Sequence, residues 1–150
     1  MHIPARLFLV FLIPQDVLQK IDMVQIMLRS LFNLGVDRII MINEQGRAEE
    51  ILSRSTINMS SHRQEILHMS FRLHHSLLQD FDEEYGKVNY FVIERENVKI
   101  LSVPFHSCKL LSVMKKGIDH MQVIKKIQQI GNLKHEYRSR DSLEMVASAE

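Results

Sequence analysis

A chain of 150 residues with 45% hydrophobic and 25% charged side chains has the balance of one globular domain that buries a core, which excludes wholesale disorder and a collagen-like fibre. Lys and Arg number 19 against 18 Asp and Glu, and the resulting +1 is too small for net charge to drive binding to a polyanion. The single cysteine, Cys108, excludes a disulfide-stapled scaffold and suits a reducing cytoplasm.

Leu7 to Ile13 is an apolar run behind Arg6. Pro14-Gln15-Asp16 follows it in place of a small-residue cleavage site, and the run falls far short of the roughly 20 residues that span a bilayer. Residues 1–15 are therefore expected to be an apolar arm packed on the domain. From Asp16 onward Val17, Ile21, Val24, Leu28, Leu31 and Phe32 recur at three- and four-residue steps. This predicts a helix over 16–34, capped by Asp16 with Gln19 and ended by Gly35.

Val36 to Ile42 and Ala48 to Ser53, joined by Asn43-Glu44-Gln45-Gly46, read as a β-hairpin. Ser61 with Gln64 signals the start of a second helix, whose apolar stripe is Ile66, Met69, Leu73, Leu77 and Phe81. That helix is expected to run to Tyr85 and close at Gly86. Val88 to Glu94, Val98 to Phe105 and Lys109 to Met114 predict three antiparallel strands, because the links between them are too short for a parallel crossover. Asp119 can cap a third helix carrying Met121, Ile124, Ile127 and Ile130, with its end at Gly131 and a polar tail over 132–150.

The order α-β-β-α-β-β-β-α gives an α/β chain of α+β type, a five-stranded antiparallel sheet between helices. Ile39 to Ile42 and Tyr90 to Ile93 do not alternate with polar residues, so both sheet faces should be covered. A layer of only one helix leaves apolar surface bare, and a homodimer is the expected way to cover it.

This element order, with Gly46 in the first hairpin, Glu94-Arg95-Glu96-Asn97 as a turn and Ser102-Val103-Pro104 late in the following strand, resembles the roadblock (dynein light chain) superfamily. It is similar more narrowly to small uncharacterised archaeal proteins of that profilin-like type. The resemblance covers residues 16–131 as the roadblock-like domain. It implies dimerisation through the third strand and second helix, which puts Ile66, Met69, Leu73, Leu77, Tyr90, Phe91 and Val92 at the interface. It also implies a non-enzymatic, cytoplasmic interaction module, a scaffold or regulator for a small GTPase or an assembly.

The residues carry few signs of chemistry, and no catalytic, metal-binding or cofactor-binding residue is assigned. His68, His74 and His75 lack the i, i+4 spacing with which two imidazoles share one ion. At a symmetric interface His68 or His75 would meet its own copy, and protonation near pH 6 would oppose pairing. His106 and Cys108 flank a turn without the orienting group and oxyanion donor that nucleophilic catalysis needs. Asp80, Asp82, Glu83 and Glu84 stand at the end of the second helix, unfavourable for negative charge, and read as a solvated acidic face. The five glycines fall at turns or caps, not in a phosphate loop. Eight Lys and Arg against two acids give residues 109–140 a local balance of 8 minus 2, or +6. Lys115, Lys116, Lys125 and Lys126 are its candidate basic surface, and a nucleic-acid or anionic-membrane adaptor is the alternative function. A small-molecule sensor with a pocket between sheet and helix is a third class, for which the sequence shows no convergent polar set.

Overall fold

The computed structural model describes residue 14 and residues 23–147, with side chains through residue 133. The apolar run Leu7 to Ile13 and the Asp16–Gln19 cap lie outside the described residues. Helix α1 occupies residues 23–29 and tightens into a 3-10 turn at Ser30–Leu34. Gly35 then takes the left-handed conformation at φ +97°, and its N–H donates to Phe32 O at 3.1 Å, closing the turn as its position in the sequence predicts.

Strands β1 (Val36–Ile42), β2 (Ala48–Ser53), β3 (Phe91–Glu94), β4 (Val98–Phe105) and β5 (Cys108–Lys115) form one antiparallel sheet in the order β2-β1-β5-β4-β3. The first hairpin matches its predicted bounds. β3 is shorter than expected and begins at Phe91, because only residues 91–94 find register partners on β4. Tyr90, assigned to the strand from sequence, lies just ahead of it, with its hydroxyl 3.6 Å from Met121 Sδ.

Both sheet faces are covered, as the unbroken apolar runs require. On one face Ile39, Leu101, Val103, Phe105, Leu110 and Met114 pack with Leu28 and Leu31 and with Val123, Ile124, Ile127 and Ile130 of helix α3 (His120–Ala147). On the other face helix α2 (Ser61–Gln79) lies over Ile40, Ile42, Ile100, Leu111 and Val113, with Phe71 its one large fully buried apolar side chain. Each central strand contributes alternate residues to the two cores, so Leu110 and Leu111 are both fully buried.

Three boundaries correct the sequence reading. The N-cap of α2 is Ser60, not Ser61: Ser60 Oγ accepts from the Arg63 N–H at 3.3 Å, and Gln64 Nε2 donates to Met59 O. Ser60→Ala is expected to cost about 1 kcal/mol, read as a lowered urea midpoint at unchanged slope. α2 stops at Gln79 instead of Tyr85, and a separate turn, Asp82–Tyr85, precedes Gly86 at φ +81°. Asp80 and Asp82 are poor helix formers, and four carboxylates collide with the negative end of the helix dipole. Finally, α3 does not end at Gly131 but continues to Ala147 through the segment expected to be a tail. A glycine costs only about 1 kcal/mol inside a helix. A Cβ here would meet the Phe105 ring only at ordinary contact distance, 3.7 Å, so nothing local requires the glycine.

Candidate functional site

Helix α2 is amphipathic in an unusual sense. Its buried residues are His68, Phe71 and His75, one turn apart on the side facing the sheet. The stripe Ile66, Met69, Leu73 and Leu77 lies on the opposite side, with Met69 47% and Leu73 57% exposed, and Phe81 extends it. A row of large apolar residues in water marks an interaction surface, whereas single scattered ones do not. Gly46 fixes how closely α2 crosses the first hairpin. At φ +80° it turns the chain, and a Cβ there would run into Met69 Sδ and the Arg72 side chain.

Beside α2 lies the outer edge of β3, which no strand among the described residues pairs. Such an edge carries unpaired N–H and C=O groups and accepts another strand. The structure thus sets α2 against this edge strand through Phe71, His74 and His75, which surround the Phe91 ring, while the stripe faces away from the sheet. The three interface residues assigned from sequence near this edge behave differently from one another. Phe91 turns its ring under α2, stacked on Phe71 at 5.6 Å and 4.8 Å from His75. Val92 packs against the core on the opposite face. Tyr90 lies ahead of the strand beside α3.

His68 and His75 are corrected in place: both point at the sheet, so neither can meet a copy across the outward face of α2. His75 Nε2 is 2.8 Å from Ser102 Oγ. Burial, then Lys109, then His74 lower its pKa to about 4. The His68 pKa is lowered by burial and by Arg38 against an opposing effect of Glu65, and its Nε2 has no hydrogen-bond partner among the described residues. For a depressed histidine, stability is complete above the unfolded value near 6.5 and is lost as pH falls toward 4, where the folded ring also takes a proton. The chain is expected to lose on the order of 2 kcal/mol between pH 7 and pH 5 through His75. Urea unfolding at both pH values checks this, and His75→Gln should flatten the dependence. An equal pH dependence in that variant would refute the assignment.

The remaining candidates do not converge. Cys108 is buried at the start of β5, with Sγ 3.5 Å from Glu49 Oε2, whereas the His106 ring packs edge-on against Phe105 at 4.7 Å. Lys115 and Lys116 close β5 and enter the following turn, and Lys125 and Lys126 are consecutive on α3, about 100° apart around it. No group of three or more His, Cys, Asp or Glu among the described residues is placed to hold a metal ion. No described helix is long and apolar enough to cross a membrane.

Sequence reasoning missed the polar set between α2 and the two hairpin turns. Asn43, Arg72, His75, Ser76, His106 and Lys109 line a cavity of about 360 Å³. Several of these groups are already engaged within the chain: Asn43 Oδ1 accepts from the Gln45 and Arg47 N–H groups, Arg72 Nε donates to Glu44 O at 2.6 Å, and His75 pairs with Ser102. These residues come from three separated segments, so no local pattern along the chain could mark them.

Comparison with protein-family models and with curated proteins returns no match. Comparison with solved structures finds the roadblock/LC7 fold. The gliding protein MglB from Thermus thermophilus superposes with a TM-score of 0.60 at 9% identity, covering 72% of this chain and 82% of its own. An MglB structure described with a tetrameric arrangement gives 0.58 at 11% identity, covering 82% and 90%. A roadblock/LC7 domain from Streptomyces avermitilis gives 0.55 at 9% identity, covering 70% and 87%. At such identities the likeness is one of fold, and the chain has the fold its element order predicts.

Proposed function

We propose that this chain is a non-enzymatic, cytoplasmic interaction module that works as a homodimer, joined through the β3 edge and the outward face of α2. The single observation that carries the reading is the stripe Ile66, Met69, Leu73 and Leu77, exposed on the outward side of α2, the helix that packs on Phe91 of the unpaired edge strand. Pairing β3 with its copy extends the sheet across a two-fold axis, and the same axis lays the two α2 helices side by side over it. The tetrameric arrangement named for one MglB structure of the same fold supports self-association.

The dimer would display a continuous two-fold surface to a protein partner, and a small GTPase is the partner class that the roadblock resemblance favours. This last step is analogy at the level of fold. Light scattering during size exclusion tests the reading: the full chain at micromolar concentration is expected to give twice its chain mass. A mass equal to one chain over the whole concentration range would overturn it.

A further inference from the structure

Between the N-terminal half of α2, the β3–β4 turn and the strands beneath lies a groove of about 490 Å³. Val98, Ile100 and Val113 contribute to its apolar lining, and Arg38, Arg63 and Arg95 also line it. No carboxylate among the described residues lines it. Arg38 is half-buried, and burial lowers its pKa. Arg63 and Arg95 are exposed at its rim, so the groove offers three guanidinium groups and no acid to an incoming anion. The guanidinium fork matches a carboxylate.

The opposite end of α2 carries the complementary chemistry. Asp80, Glu83 and Glu84 are exposed there, with the large rings of Phe81 (56% exposed) and Tyr85 (86% exposed). Asp82 Oδ1 is buried without a hydrogen-bond partner among the described residues. Within one chain these acids oppose the negative end of the helix dipole, as the arginine groove adds to the positive end. A two-fold axis normal to the extended sheet runs the two α2 helices antiparallel, so each end meets the opposite end of its copy. If Met69 faces Leu73 of the second copy, Ile66 faces Leu77 and Arg63 faces Asp80, to within one residue.

We propose that the groove lined by Arg38, Arg63 and Arg95 receives the acidic and aromatic segment 80–85 of a second copy of this chain, so that the dimer holds two such sites and neither is complete in a single chain. The inference rests on the homodimer reading and adds its register and the residues that set it.

Charge reversal tests it on the full chain. Arg63→Glu and Asp80→Arg each place like charges at both symmetric contacts, and each alone is expected to raise the dimer dissociation constant about tenfold or more. An equimolar mixture of the two variants forms a heterodimer in which both contacts again join opposite charges. Its dissociation constant is expected within about threefold of the unaltered chain. Both positions are exposed, and an unchanged circular dichroism spectrum verifies that the variants fold. If the single variants dimerise as the unaltered chain does, the groove is not the acceptor, while the homodimer stands. Weakened single variants that the mixture fails to restore also overturn the pairing. A monomeric unaltered chain overturns the homodimer and this inference together.

Discussion

Leu73→Glu is expected to raise the dimer dissociation constant by about 100-fold or more while leaving the stability of the single chain within about 0.5 kcal/mol. Leu73 is 57% exposed in the single chain, so a carboxylate there stays in water and disturbs no packing. In the dimer the same position is counted twice, because a two-fold interface presents each substitution to its own copy. Two ionised groups would enter an apolar seam with no cation opposite. Dilution followed by light scattering reads the dissociation constant, and thermal unfolding reads the chain. A dissociation constant that does not move would take α2 out of the interface.

Phe71→Ala is expected to destabilise the chain by about 3–5 kcal/mol, measured by urea unfolding. Phe71 is 3% exposed and is the one large apolar residue that α2 fully buries against the sheet, where its ring stacks on Phe91. Its two buried companions on the helix are imidazoles, and such polar rings return less on burial than an aliphatic side chain. Removing this ring therefore loosens the helix that carries the interaction surface. Dimerisation should weaken with it, although Phe71 makes no contact on the outward face. The same contact makes Phe91→Glu a poor interface probe, since it would break the stack inside one chain. A stability loss under about 1 kcal/mol would show that α2 is held by other contacts.

Much of the fold was legible along the chain because strand propensity, turn residues and helical spacing are local signals. The runs Val36–Ile42, Ala48–Ser53 and Val98–Phe105 match their predicted bounds, and the apolar character of β1 announced a sheet covered on both faces. Element ends were less legible. Gly131 is identical in sequence to a helix stop, yet α3 runs through it, and the packing of α3 on Phe105 and the other sheet residues depends on strands far away in the chain.

The site divides in the same way. The stripe Ile66, Met69, Leu73 and Leu77 is a periodicity and was readable as such, but periodicity does not say which side of the helix meets the sheet. His68, Phe71 and His75 share an equally regular spacing, and imidazoles count as polar in any reading of hydropathy. Long-range packing makes this polar-looking face the buried one and turns the apolar stripe outward. It also gathers Arg38, Arg63 and Arg95 from three separate segments around one groove. The elements, their order and the two covered faces of the sheet can be read from residue order because they follow from interactions between near neighbours. Helix orientation and the convergence of charges cannot, since the contacts between distant segments that set them exist only once the chain has closed its sheet.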